Sequence, residues 1–326
     1  MTTPATDLRP QASATSATTP QRPKLVRAEL MKIFTTNSWW IFGLFMLGAT
    51  ALALLINLFQ AVGDLSYAES GGNAPPDFSD VPADQRPDPA QMAAIEADYA
   101  RATDLPRVLV TSAANVYTSG QLLNLMFIVV LGALIVTNEY FHQTATATFL
   151  TTPHRTRVIV GKLAAALIMA AGFWAATTVI NVAVGAITFA SNGHGVPFDH
   201  WTIIRAVLMN LLAYAIWAIL GVGLGVLIRS QLGATITGAA MYWISWPVAG
   251  VLFGIIRAYV IKNDWVWNLT VIFPGVASYL MVAAERVQFG FNAYSPPWWV
   301  GALVLLGYGV LAGVFGTLIT RRRDIS

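Results

Sequence analysis

Six runs of this chain are apolar for long enough to cross about 30 Å of hydrocarbon at about 1.5 Å per helical residue. They are Trp39 to Val62, Gln121 to Asn138, Leu163 to Ala190, Ile203 to Ile228, Leu232 to Ile256 and Trp298 to Thr320. Across the 326 residues, 56% are hydrophobic and 11% charged, with a mean hydropathy of +0.60, which is too apolar for a soluble domain of this size. The expected class is an all-α integral membrane protein with six transmembrane helices. There is no cysteine, so disulfides and thiolate metal sites are excluded. The histidines (His142, His154, His194, His200) fall in polar intervals, and no metal site is expected.

A seventh apolar stretch, Trp265 to Ala284, is interrupted by Pro274 and Gly275, and charge decides how to read it. With the amino end cytoplasmic, the inner intervals carry Arg22, Lys24, Arg27 and Lys32, then Arg155, Arg157 and Lys162, then Arg229, and finally Arg321, Arg322 and Arg323. The interval between the first two spans is acidic, with Asp64, Glu69, Asp77, Asp80, Asp84, Asp88, Glu96, Asp98 and Asp104 against three arginines. This satisfies the cation bias for the inside, and a seventh full crossing would break it by placing the arginine triplet outside. The stretch is therefore expected to be a re-entrant helical pair before the last span, with both termini cytoplasmic. Cations that flank apolar spans, rather than forming a stripe on a soluble domain, exclude nucleic-acid binding.

Residues 1–23, rich in Thr, Ala, Pro and Ser, read as a disordered cytoplasmic tail. The first apolar run is about twice the length of a signal-peptide core and is expected to remain as an anchor. From Arg22 to Ser38 cations alternate with apolar residues ahead of Trp39 and Trp40, predicting an interfacial helix whose cations face lipid headgroups. Residues 63–120 form an acidic extracytoplasmic loop that starts irregularly, with several glycines and prolines. Met92, Ile95, Tyr99 and Ala102 then recur at helical spacing, predicting a short amphipathic helix over the outer mouth; a solvated connection is the alternative.

The span cores as drawn contain no Asp, Glu, Lys or His, and Arg205 is the one arginine, near an edge. Proton- or ion-driven carriers need buried ionisable groups, and an intramembrane hydrolase needs a nucleophile with its base, so both are disfavoured and no catalytic residue is named. Uphill movement would then draw on ATP. This chain is no ATPase: Thr156 stands where a phosphate-binding loop needs its first glycine, and Leu163 where it needs Ser or Thr. Gly221, Gly223 and Gly225 supply a spacing that lets helices approach closely.

One polar interval separates two of the spans: "EYFHQTATATFLTTPHRTRVIVGK", Glu139 to Lys162. Tyr140, Phe141, Thr144, Ala145, Thr148, Phe149 and Thr152 fit two or three helical turns closed by Pro153. Such a helix would lie along the membrane and fit a groove in another protein, while Arg155, Arg157 and Lys162 face lipid phosphates. The interval, together with "LVRAELMKIFTTNSWW" at the start, resembles the membrane subunits of type-2 ATP-binding-cassette (ABC) transporters over nearly the whole chain from Lys24, residues 24–326.

That resemblance implies that the interfacial stretch is an elbow helix and that the polar interval is a coupling helix. Glu139, Tyr140, Phe149, Leu150 and Arg155 would contact or position a cytoplasmic ABC ATPase subunit, which binds ATP and Mg. It also implies a plasma-membrane permease that pairs with a second permease subunit. The substrate path between them would lie along the second and fifth spans, with Asn124, Thr237, Met241 and Ser245 as candidate lining residues. The long acidic loop departs from the simplest family members. Two other functions stay open on the residues alone: a membrane assembly or sensor subunit, and a stand-alone carrier or channel.

Overall fold

The computed structural model describes residues 25–74, 77–82, 85–143, 155–290 and 293–322. Among these residues the regular structure is helical apart from one short antiparallel hairpin. Its helices are α1 (Leu25–Phe34), α2 (Ser38–Glu69), α3 (Pro89–Ala102), α4 (Leu105–Tyr117), α5 (Gln121–Phe141), α6 (Arg155–Ser191), α7 (Trp201–Ile228), α8 (Gln231–Trp243) and α9 (Ser245–Ile256). A π-helical turn (Arg257–Ile261) and a 3-10 helix (Asp264–Ile272) lead to α10 (Pro274–Val282). The hairpin β1 (Gln288–Gly290) and β2 (Ala293–Tyr294) precedes α11 (Trp298–Arg322).

Five helical stretches are long and apolar enough to cross a membrane, and seven if each of two bent pairs counts as one span. Lipid offers no partner for a backbone N–H or C=O, so apolar runs of this length close their own hydrogen bonds as helices. The bent pairs are Gln231–Trp243 with Ser245–Ile261, turned by 48°, and Asp264–Ile272 with Pro274–Val282, turned by 101°. Pro247 lacks the N–H that would bond the Trp243 carbonyl, which accounts for the first bend. Phe273, extended at φ −74° and ψ 127° as pre-proline residues prefer, makes the second.

The central element is α5. The apolar core of Leu105–Phe141 is 67% buried inside the bundle, against 22% for that of Ser38–Glu69. Helices α7 and α8 pack along α5, and α7 also contacts α11 and α6. Small residues permit this closeness: a Cβ on Gly221 would lie 2.2 Å from the Val129 carbonyl oxygen, and one on Gly225 2.8 Å from that of Ala133. Gly223 turns the other way, toward Ala312 on α11.

Between the first two long spans the fold is more helical than the sequence pattern indicates. Helix α2 runs on to Glu69, past the expected end at Val62. Helix α4, expected as loop, packs against α2, α6 and α7 and buries Ser112, Ala113, Ala114, Val116 and Tyr117. It is separated from α5 only by a turn at Gly120, whose φ of 84° and Cβ position 2.7 Å from Thr50 Oγ1 require glycine. The amphipathic helix α3 forms where its spacing places it, capped by Asp88 and Gln91 in a reciprocal box with Pro89 in the first turn. None of its residues is buried, so it does not seal a mouth by apolar packing; Tyr99 Oη instead donates to the Gly71 carbonyl at 2.7 Å.

Candidate functional site

At the α1 end of the bundle, four charged side chains from three helices meet. On α1, Glu29 and Ile33 are one turn apart and both are buried. The apolar face of α1 crosses α6 at Gly161, where a Cβ would lie 2.9 Å from Leu25 Cγ, and this close approach sets Glu29 over the next residue, Lys162. Helix α5 brings Glu139 to the same point from its last turn.

Lys162 Nζ donates to Glu29 Oε2 at 2.8 Å and to the Ile135 carbonyl at 3.2 Å, and lies 2.8 Å from Glu139 Oε1. Lys32 Nζ donates to Glu29 Oε1 at 2.8 Å and to Glu139 Oε1 at 2.7 Å. Two ammonium groups thus alternate with two carboxylates in a neutral ring. Glu29 and Lys162 are each 2% exposed and Glu139 8%, whereas nearly half of the Lys32 side chain reaches solvent. Charges buried to this degree persist only when paired and hydrogen-bonded, which each of them is.

Burial alone would lower the Lys32 pKa, but its hydrogen bonds to Glu139 and Glu29 outweigh that and hold it above the ordinary 10.5. A raised lysine pKa contributes stability that is full below 10.5 and is lost as pH climbs through the higher folded value. The ring is therefore charged on the Lys32 side throughout the neutral range.

The residues beside Glu139 are tied to other elements. Asn138 Oδ1 accepts from Gln231 Nε2 at the start of α8 at 3.2 Å. The guanidinium of Arg229, in a left-handed turn between α7 and α8, stands 5.7 Å from the centre of the Tyr140 ring. Helix α5 then ends: Phe141 is its last residue, exposed, and Gln143 turns at φ 56°. Three consecutive residues, Asn138 to Tyr140, thus fasten the end of α5 to α1, α6, α8 and the α7–α8 turn. A cavity of about 250 Å³ opens beside the ring, among Glu29, Lys32, Ile33, Asn138, Glu139 and His142.

Glu139 and Tyr140 therefore lie together, with Glu139 turned into the bundle. Phe149 and Leu150, with the rest of the expected coupling helix from Thr144 to Pro153, lie outside the described residues, and Arg155 begins α6. Tyr140 and Phe141 close α5 rather than open a separate helix. Two further expectations are corrected. Lys32 and Lys162 were expected to face lipid, and both instead bind carboxylates, because the acids of α1 and α5 carry buried charge that these two cations neutralise. The span cores as drawn omitted Glu139 and Lys162 because helices α5 and α6 extend past the apolar runs that define them. The legible signal was a lone acid, Glu29, on the apolar face of a basic helix, with one more acid and one lysine bracketing the same polar interval.

The four candidate path residues lie on α5, on α8 and at the bend after α8. Asn124 is fully buried and donates to Thr50 Oγ1 at 2.7 Å. Ser245 sits at the bend after α8, where its hydroxyl donates to the Met241 carbonyl at 2.5 Å and accepts from the Gly275 N–H at 3.3 Å. Thr237 is exposed and Met241 half-buried on α8.

No curated protein matches the chain. A family model described as "Protein of unknown function (DUF2705)" matches residues 98–326, from the end of α3 to the last residue and more than two thirds of the length. That match takes in α4 to α11, including the Glu139 and Lys162 half of the ion ring, and the chain belongs to the DUF2705 family.

Proposed function

We propose that this chain is the membrane subunit of an ATP-driven ABC exporter, pairing with a second permease subunit and driven by separate cytoplasmic ATPase subunits that bind ATP and Mg. In this reading six spans cross the plasma membrane, α1 is the interfacial elbow helix, the coupling helix lies between Thr144 and Pro153 directly after the end of α5, and the bent pair at Pro274 is re-entrant. The observation that carries it is the fastening of the α5 end. A push on the segment after Gln143 reaches the bundle through Asn138, Glu139 and Tyr140, which are held by α1, α6, α8 and the α7–α8 turn. A solvated connecting loop needs no such anchorage. Glu139 serves here as a positioning residue, and Phe149 and Leu150 as the contacts with the ATPase.

Co-purification with the ATPase encoded nearest to it, followed by ATP turnover in detergent, tests the proposal. Phe149→Ala is expected to weaken association, and Glu139→Ala to lower turnover by loosening α1 from α5 and α6. If neither variant changes association or turnover, the coupling assignment is wrong.

A further inference from the structure

At the opposite end of α2 from the ion ring lies a cavity of about 730 Å³, within the usual range for small-molecule sites. Its walls come from the last turns of α2 (Asp64, Tyr67), from α3 (Asp98, Arg101), from α4 (Arg107 to Asn115) and from the segment after α10 (Glu285, Arg286, Tyr294).

The walls are fastened by ion pairs. Arg107 grips Glu285 with two nitrogens, Nη2 donating to Oε2 at 2.7 Å, so α4 is joined to the loop before the last span. Arg101 bonds both Asp98 and the Tyr294 hydroxyl, and its guanidinium lies 5.5 Å from the Tyr294 ring centre, which joins α3 to the hairpin. These pairs neutralise four of the six charges in the lining. Among the described residues two have no ion pair: the carboxylate of Asp64 and the guanidinium of Arg286. One turn from Asp64, the Tyr67 ring packs over Gly72, and its hydroxyl accepts from the Asn73 N–H at 3.2 Å, so its orientation is set. An anion beside an oriented aromatic ring suits an ammonium group. A guanidinium on another wall suits a carboxylate or phosphate. Val108 and Ala102 add apolar surface.

We propose that this cavity binds a small zwitterion with an apolar portion, its ammonium group against Asp64 and Tyr67 and its anionic group against Arg286. A lipid headgroup and a soluble peptide share that chemistry. The proposal does not rest on ATPase coupling, which concerns the other end of the bundle.

Binding of three probes to the purified full chain in a non-ionic detergent tests it by calorimetry: lysophosphatidylethanolamine, the dipeptide Ala-Phe, and an uncharged monoacylglycerol. At least one zwitterion is expected to bind saturably. Asp64→Asn and Arg286→Gln should each weaken it about tenfold or more, as the loss of a charged contact does. The same variants should leave the melting temperature unchanged, and Arg286→Lys should retain part of the affinity. Binding of the lipid alone assigns the site to a membrane source, and binding of the dipeptide alone to a soluble one. Asn115→Cys, modified with a bulky maleimide, should block binding and so tests the cavity without altering its charges. No saturable zwitterion binding, equal affinity in the double variant, or equal binding of the monoacylglycerol would overturn the proposal.

Discussion

Lys162 is the residue on which the α1 end depends, because it is the one buried cation between two buried carboxylates. Replacing it with methionine keeps the volume but removes the buried ammonium that both Glu29 and Glu139 contact. A cost of about 3–5 kcal/mol is expected, the usual penalty for stranding a buried charge, read as a large drop in thermal stability in detergent. Lys32→Ala removes a cation whose side chain is 47% exposed. It should cost about 1 kcal/mol or less, as water and Lys162 share the load. An equal loss in the two variants would mean that the ring is not organised around Lys162. The residue types were legible, with a lone Glu29 on a basic helix and Glu139 and Lys162 flanking one polar interval, but not their meeting, which takes the crossing of α1 over Gly161 and the packing of α5 on α6.

Elements were far more legible than contacts, since an apolar run of span length has little choice but to be a helix in lipid. The exceptions have physical causes. Helix α4 carries Arg107 in its first turn and polar Ser112 and Asn115, so it fails an apolar-length criterion, yet its burial comes from packing under α2 and α7. The break at Pro274 was read from its proline, whereas Leu232 to Ile256 was read as one straight span despite Pro247, and the pin between the two bends, Ser245 to the Gly275 N–H, carried no sequence signal. That pin makes Ser245 a hinge contact: Ser245→Ala should cost about 1 kcal/mol and, if Ser245 lines no substrate path, leave cargo selectivity unchanged. At the α5–α7 crossing, Gly221→Val would drive a branched side chain into the Val129 carbonyl, and a loss of at least about 1–3 kcal/mol is expected in a thermal melt. A neutral result would show that the two helices are not held this close.

For the molecule as a whole, the charge distribution predicts a topology that labelling can test, and the absence of native cysteine makes every introduced thiol unique. In intact cells, Ser79→Cys should react with an impermeant maleimide and Thr151→Cys should not; the reverse pattern would invert the bundle. On the proposed reading the two ends have distinct tasks, with the charged ring and anchored α5 terminus expected on the cytoplasmic side and the zwitterion cavity expected outside. The central claim is that the drive comes from a partner seated on the segment between Gln143 and Arg155. A photo-crosslinking amino acid at position 149, activated in living cells and followed by mass spectrometry of the adduct, measures that contact directly. The account predicts a soluble ATPase with a phosphate-binding loop as the adduct; an adduct only with lipid or with a second copy of this chain would contradict it.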